Sequence, residues 1–281
     1  MSTTIGRAEL AALASRFTDA LGSGRLGSLT ERARVTVNGQ PPEAADLERL
    51  AGPTRAQPPL LDPDSGNAVV FATVHEPDAD EATIVGARLQ SGPDGDVIEA
   101  ELLVSRDGES SIFAPARLVE DHHTLLGAPL DRPGERDRIV AAADRYFTDL
   151  QDNTALTVFH EQCQRIENGF QTTGNPAVLG GSTCAQQLEE GWFGYIEAVR
   201  GRRYPVVDTT SGVVMAVAFL DVPGTATHLE LRNGRRLELP ERMRFPRSTL
   251  LFEQFKVEGD ELVWIEALMV NLPDGAPHGW E

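Results

Sequence analysis

Residues 144–169, DRYFTDLQDNTALTVFHEQCQRIENG, predict a helix, a short second helix and a strand that stops at an Asn-Gly turn. Residues 14–39, ASRFTDALGSGRLGSLTERARVTVNG, match this stretch without a gap. A match at a fixed offset, here 130 residues, indicates that one structural unit is present twice. The identical pairs are Phe17 and Phe147, Thr18 and Thr148, Asp19 and Asp149, Leu26 and Leu156, Glu31 and Glu161, and Asn38-Gly39 and Asn168-Gly169.

Two shorter matches follow in the same order along the chain. Residues 59–66 correspond to 205–212 at an offset of 146, and residues 98–100 correspond to 265–267 at an offset of 167. Because the order is kept while the offset grows, we expect the second copy to carry insertions.

The chain has 281 residues, which is enough for two domains of ordinary size. We expect these domains to cover residues 1–125 and 136–281. The connection between them is marked by Pro115, Pro129 and Pro133, which interrupt regular structure.

In each expected domain the helices precede the strands. This order predicts an α+β fold, with curved antiparallel sheets around helices, and not a series of βαβ units. Other predicted elements are a short strand within 111–117, a short helix that carries Phe159 and His160, and a third helix over 184–199. Residues 224–243 form a polar insertion, which predicts a hairpin around Asn233-Gly234 or a mobile lid.

Composition excludes several classes of partner. The formal net charge is −18, which argues against nucleic acid or an anionic membrane surface. No apolar run approaches the ~18 residues of a membrane span, and we expect a cytoplasmic protein. Cys163 and Cys184 lack the paired ligand spacing of a zinc site, so no metal is expected. The sequence leaves open whether these cysteines are buried thiols or form a disulfide.

Four motifs carry a family resemblance: CxRxENG at 163–169, QTT at 171–173, RRxPVVD at 202–208 and LPxGxxxGW at 272–280. They resemble a tandem-domain family of unknown function, common in fungi and also bacterial. Its fold is the nuclear-transport-factor-2-like, or SnoaL-like, fold. The resemblance implies cones, each with a bent sheet that wraps a long helix and leaves one pocket.

The wider superfamily includes ketosteroid isomerase, scytalone dehydratase, epoxide hydrolases and polyketide cyclases. In ketosteroid isomerase a tyrosine on the first helix polarises a carbonyl, and a carboxylate after the first strand moves a proton. Tyr146 is similar to that tyrosine. The carboxylate position falls at Glu167 or at Asn168, and in the second case the base is missing.

The internal duplication separates candidates for chemistry from residues that serve the fold. Asn168 repeats Asn38, which favours a structural role. Polar residues found only in the second copy are free to act on a ligand, so we expect the active pocket there and a scaffold in the first half. Tyr146, His160, Arg165 and Glu167 stand where the first copy has Arg16, Thr30, Val35 and Val37.

We predict that Glu167 or His160 accepts a proton, that Arg165 on the same strand face orients Glu167, and that Tyr146 donates to an oxyanion. These residues also fit plainer roles, namely a surface histidine, a solvated ion pair and a core tyrosine. The predicted substrate-binding residues are Asn168, Trp192, Tyr195, Arg203, Tyr204 and Trp264.

The predicted function is proton transfer on a small, mostly apolar carbonyl or hydroxyl compound, without a cofactor. The enzyme would be a lyase or dehydratase, an isomerase or a cyclase. One alternative is a non-catalytic small-molecule-binding or assembly module, which includes a homodimer formed through sheet faces. Another is epoxide hydrolysis by Arg165, Glu167 and Asn168.

Overall fold

The structure is a computed structural model that describes residues 5–120, 126–178 and 181–279. It confirms a mixed α+β architecture, in which two six-stranded sheets and a small hairpin pack with six α-helices. No helix in these ranges is long and apolar enough to cross a membrane. Trp280, at the end of the fourth sequence motif, lies outside the described residues.

The first sheet is built from residues of the first half. Its strands follow the order β1-β6-β5-β4-β2, and β3 also pairs with β4. Helix α1 lies on one face, where its buried residues Leu10, Leu13 and Phe17 recur at helical spacing and pack on the sheet. The bounds are α1 Arg7–Gly22, α2 Leu26–Leu29, β1 Arg34–Val37, α3 Ala44–Arg49, β2 Thr54–Ala56, β3 Leu60–Asp62, β4 Asn67–Val74, β5 Thr83–Ser91, β6 Val97–Ser105 and α4 Pro115–Glu120.

The second sheet follows the order β8-β7-β14-β13-β10-β9, and helix α5 packs on it through Ile139, Phe147 and Leu150. In both sheets the strand that follows the long helix pairs with the last strand of that sheet in parallel. The sheets are therefore mixed and not wholly antiparallel as expected. The bounds are α5 Arg136–Asp152, β7 Phe159–Glu167, β8 Phe170–Gln171, α6 Cys184–Glu190, β9 Ala198–Asp208, β10 Val213–Val222, β11 His228–Glu230, β12 Arg236–Glu238, a 3₁₀ turn Glu241–Met243, β13 Arg247–Glu258 and β14 Glu261–Leu272.

The two sheets pack face to face on the sides that their long helices leave open. Phe71 and Leu103 of the first sheet share one apolar cluster with Phe219, Phe252 and Leu268 of the second. These two sheet faces are thus buried against each other within one chain. The layers run α1, first sheet, second sheet, α5, and both faces of the central strands are buried.

Two reciprocal ion pairs join the halves. Arg7, the first residue of α1, donates two 2.8 Å hydrogen bonds to Asp208 at the end of β9. Arg136, the first residue of α5, donates to Asp62 at the end of β3, at 3.1 and 2.7 Å. Each pair joins a helix of one half to the other half, and both aspartates are almost fully buried.

The repeated Asn-Gly turns have a shared structural role. Asn38 and Asn168 both adopt positive φ. The side-chain amide of Asn38 donates to the backbone carbonyl of Val104 and accepts from its N–H, and Asn168 makes the same two bonds with Met269. Gly169 has φ of +80°, and a Cβ there would lie 2.3 Å from the carbonyl oxygen of Ala114. Only glycine suits this conformation and close approach.

The strand pairings correct the alignment of β6 with β14, the last strands of the two sheets. Thr36 of β1 lies opposite Glu101 of β6, and its counterpart Ile166 of β7 lies opposite Glu266 of β14. Glu101, and not Glu99, is therefore the counterpart of Glu266, and the offset is 165 and not 167. Both glutamates face the other half: Glu101 accepts hydrogen bonds from Arg203, and Glu266 accepts one from Gln57.

Three local predictions were wrong. Residues 111–114 are not a strand, and α4 begins at Pro115, which is tolerated in the first turn of a helix. Phe159 and His160 begin strand β7 and do not form a helix. The predicted third helix ends at Glu190 because Gly191 adopts a left-handed C-cap. The hairpin around Asn233-Gly234 is confirmed as β11 and β12.

The Arg136–Asp62 pair generates a prediction for stability. Arg136→Met should lower the free energy of unfolding by about 2 kcal/mol, because it leaves the buried Asp62 carboxylate without its cation. The matched control is Arg138→Met, since Arg138 pairs with Asp260 while both side chains are more than half exposed. That control should change stability by less than about 0.5 kcal/mol. Urea denaturation measures both, and equal effects would contradict a special role for the buried pair.

Candidate active site

A cavity of about 440 Å³ lies on the face of the second sheet that carries α5. Strands β7, β13 and β14, helix α5 and the segment after α6 form its walls, and residues 110–112 of the connection also reach it. Its apolar lining includes Leu150, Phe170, Trp192, Phe193, Tyr195, Leu220, Leu239, Met243, Leu251 and Met269. Its polar lining includes Tyr146, Arg165, Glu167, Thr172, Gln187, Arg247, Thr249, Glu253 and Asn271.

The β11–β12 hairpin covers one side of this cavity. Leu229, Leu231 and Leu239 pack against Trp192 in a separate apolar cluster. Arg232, beside the hairpin turn, donates to the carbonyl oxygens of Leu188 and Glu189 at 2.7 and 2.9 Å. These carbonyls belong to the last turn of α6, so Arg232 ties the hairpin to the cavity wall.

Arg165 is the hub of the polar end of the cavity. It is 4% exposed and donates to the Tyr146 hydroxyl at 3.2 Å, the Gln187 side-chain oxygen at 2.6 Å and the Thr172 hydroxyl at 3.2 Å. Its Nε also lies 3.3 Å from a Glu167 carboxylate oxygen. These contacts hold the guanidinium in one orientation, with its charge next to the cavity.

Tyr146 is held as a neutral hydroxyl. Burial raises its pKa well above the ordinary value of 10, an effect that the nearby Arg165 opposes. Because its oxygen accepts a hydrogen bond from Arg165, its own proton is free to point into the cavity. Tyr146 and Arg165 can therefore stabilise a negative charge on a ligand oxygen.

Glu253 is a second carboxyl group in the cavity, and sequence analysis did not identify it. It is 2% exposed and makes no hydrogen bond or ion pair with the described residues. Burial, reinforced by the charge of Glu167, raises the pKa of Glu253 to about 8. The group thus holds a proton at neutral pH and can act as a general acid.

The registers place the two glutamates in one row of the sheet. Glu167 lies opposite Ala267, and Ala267 lies opposite Glu253 on the next strand. Neighbouring strands are ~4.8 Å apart, so the two glutamate backbones are roughly 10 Å apart with a small side chain between them. The equivalent row of the first sheet is Val37, Leu102 and Ala87. That row is apolar and belongs to the first core.

Five of the predicted site residues line the cavity: Tyr146, Arg165, Glu167, Trp192 and Tyr195. Alternate residues line the cavity, namely Arg165 and Glu167 of β7 and Met269 and Asn271 of β14, whereas Ile166, Leu268 and Val270 between them face the other sheet. His160 and Trp264 do not line this cavity. His160 accepts a hydrogen bond from the Gln162 amide, and Trp264 lies in the cluster between the sheets.

The other three predicted residues do not line the cavity. Asn168 is fully buried, and its amide is occupied by backbone groups, as described above. Arg203 pairs with Glu101 of the first half. Tyr204 donates to Asp144 at 2.6 Å. Asn168 therefore stabilises the fold, whereas Arg203 and Tyr204 line a separate pocket beside Asp144.

The two cysteines are free and buried. The Cys184 thiol donates to the carbonyl oxygen of Cys163 at 3.4 Å. Within the described ranges no group of three or more His, Cys, Asp and Glu side chains is arranged to hold a metal ion.

Comparisons with known proteins match only the half that carries the cavity. Residues 132–269 match the model of a family described as a domain of unknown function, DUF8021. This segment begins just before α5 and ends within β14, so it includes most of the residues that line the cavity. The chain has no significant match among the curated proteins or among the solved structures.

The raised pKa of Glu253 predicts how stability changes with pH. The folded state keeps the proton up to about pH 8, whereas an unfolded glutamate loses it near ~4.3. Between these values the folded state binds more protons, so wild-type stability falls as pH rises, by up to about 1.4 kcal/mol per pH unit. Glu253→Gln removes this term, so its stability relative to wild type should increase from pH 5 to pH 8 and then level off.

Chemical denaturation at pH 5, 6.5 and 8 measures this difference. The control is Glu241→Gln, because Glu241 is exposed and should give the same difference at all three pH values. A Glu253→Gln difference that is independent of pH would contradict the assignment of a buried, protonated carboxyl group.

Proposed function

We propose that the second half is an enzyme that transfers protons on a small, mostly apolar carbonyl or hydroxyl compound, without an organic cofactor or metal. Elimination, isomerisation and cyclisation all belong to this class. The observation that carries the proposal is the pair of carboxyl groups in one cavity. Glu167 is paired with Arg165, whereas Glu253 has no partner among the described residues and has a raised pKa. Carboxyl groups in such different environments suit opposite roles as base and acid.

Each residue then has a defined role. Glu167 accepts a proton from the carbon next to a carbonyl or leaving group, and the electron pair moves onto oxygen or forms a double bond. The Tyr146 hydroxyl and the Arg165 guanidinium stabilise the charge on that oxygen. In an elimination, Glu253 gives its proton to the departing hydroxyl, which leaves as water. In an isomerisation it returns a proton to another carbon.

The proposal extends to the fold and the organisation of the chain. The two halves would be tandem SnoaL-like cones, and the first would be a scaffold without a catalytic cavity. Support comes from the equal order of strand pairing in the two sheets and from the reciprocal Arg-Asp pairs. The row of Val37, Leu102 and Ala87 in the first half is aliphatic, whereas the equivalent row of the second half contains Glu167 and Glu253. This difference supports a catalytic role for the second half alone.

Two other functions have weaker support. A non-catalytic binding module would be favoured by a wholly apolar cavity, but this one contains a buried ionisable cluster. Epoxide hydrolysis was expected to use Asn168, whose amide is already occupied. Asn271 lines the cavity, but its side-chain oxygen accepts a 2.9 Å hydrogen bond from Thr249.

Proton transfer can be tested without knowledge of the natural substrate. The full-length protein is incubated in D₂O with alicyclic and aryl ketones such as cyclohexanone and 1-indanone. Deuterium incorporation next to the carbonyl is followed by NMR. We expect exchange above the buffer rate for at least one ketone, with a decrease of about 100-fold or more in Glu167→Gln and Glu253→Gln.

The matched control is His160→Ala, because His160 lies outside the cavity and its loss should leave exchange near the wild-type rate. Absence of enzyme-dependent exchange across the ketones would contradict the proposal. Exchange that survives both glutamine substitutions would contradict the assigned roles.

A further inference from the structure

Arg247 is a buried cation that has no carboxylate partner in the part of the chain that the structure describes. It is 5% exposed, lies at the start of β13 and lines the cavity. Its Nη1 donates to the carbonyl oxygens of Met243 and Phe245 at 2.9 and 3.2 Å, and its guanidinium lies 5.0 Å from the centre of the Phe245 ring. Its Nε and Nη2 make no hydrogen bond with the described residues. Half of the guanidinium fork is therefore available to a ligand.

The other buried arginines have carboxylate partners. Three arginines of the described chain are less than a tenth exposed: Arg88, Arg165 and Arg247. Arg88 pairs with Glu99 and Glu101, and Arg165 pairs with Glu167. Arg247 has no acidic side chain within 4 Å among the described residues. Removal of a charge from water without an opposite charge is unfavourable, so the site is suited to an anion that the protein itself does not supply.

The position of Arg247 also defines the length of the ligand. Arg247, Thr249, Leu251 and Glu253 are alternate residues of β13, and all four line the cavity. At ~3.3 Å per residue, the backbones of Arg247 and Glu253 are roughly 20 Å apart. The cavity therefore runs along the strand, with a cation at one end, the proton-transfer groups at the other and Leu251 between them.

We propose that the ligand of this cavity is an elongated organic anion with a carboxylate head on Arg247 and an apolar body that extends toward Glu253. A carboxylate accepts two parallel hydrogen bonds from Nε and Nη2 of an arginine. Arg242 also lines the cavity and is exposed, so it adds positive charge outside the buried site. Glu238, an acidic residue of the lining four positions before Arg242, is exposed and already pairs with Arg236 at 2.7 Å. The assignment of a reacting group to the far end rests on the proposed function, but the anion site does not.

Isothermal titration with octanoate and 1-octanol tests the anion site. These probes share an eight-carbon chain and differ in the charged head. Wild-type protein should bind octanoate about 10- to 100-fold more tightly than 1-octanol, the range expected for a charge-assisted hydrogen-bonded pair. Arg247→Met should lose this preference while it retains affinity for 1-octanol. Arg242→Met, the exposed control, should keep most of the preference.

A second measurement uses the unaltered protein, in case the substitution impairs folding. Added sodium sulfate should weaken octanoate binding and should not weaken 1-octanol binding, because sulfate competes for the cation and otherwise favours apolar burial. Equal affinity for the two probes in wild type, or a preference that survives in Arg247→Met, would overturn the proposal. Neither measurement involves turnover. Loss of ketone exchange with an intact octanoate preference would therefore reject only the catalytic proposal.

Discussion

The packing of the two sheets against each other is the constraint on which the rest of the structure depends. Because each sheet has a helix on one face and the other sheet on the opposite face, its central strands are buried on both sides. An ionisable side chain in these strands must then find a partner or face a cavity. Glu101 and Glu266 reach partners in the opposite half. Glu253 has no such partner and faces the cavity.

The same packing explains why the segment that connects the two halves matters to the site. The segment after β6 covers the Asn-Gly turn of the second half, where Ile112 and Ala114 contact Asn168 and Gly169. Ile112 then continues into the cavity wall. The first half therefore supplies part of the enclosure, although its own core carries no counterpart of Glu167 or Glu253. In the proposed function, the first half would exclude water from one side of the site and leave the chemistry to the other half.

Much of the fold could be predicted because its signals are local. The spacing of Leu10, Leu13 and Phe17 indicates a helix whatever surrounds it. The candidate site depends on which face of the sheet each strand residue occupies and on how the strands pair, and neither can be read from a short stretch of sequence. Trp264 and Glu266 lie on the face toward the other sheet, and Ile265 and Ala267 lie on the face toward α5. The sequence of a strand buried on both faces is apolar throughout and gives no sign of which parity faces a cavity.

Glu253 is a cavity residue that the sequence could have indicated. It interrupts an apolar run, LLFEQF at 250–255, in which a buried glutamate is rarely found without a reason. The duplication would have given Ala87 as its counterpart, but only with the last strands aligned at the offset of 165 residues. An offset of 167 residues pairs Glu266 with Glu99, and the residues equivalent to Glu167 and Glu253 in the first half cannot then be identified. Strand registers, and not residue identities, recover that comparison.

The polar groups of the second cavity depend on one another energetically. Arg165 alone in place of Val35 would bury an unpaired cation, and Glu167 alone in place of Val37 would bury an unpaired anion. Together they form an ion pair, and Tyr146, Thr172 and Gln187 occupy the remaining donors of the arginine. Glu253 is tolerated next to them because it can remain protonated, and Ala267 leaves the space that Leu102 fills in the first half. An ionisable cluster in this cavity therefore requires several coordinated substitutions in one row and its neighbours, and the second half carries all of them.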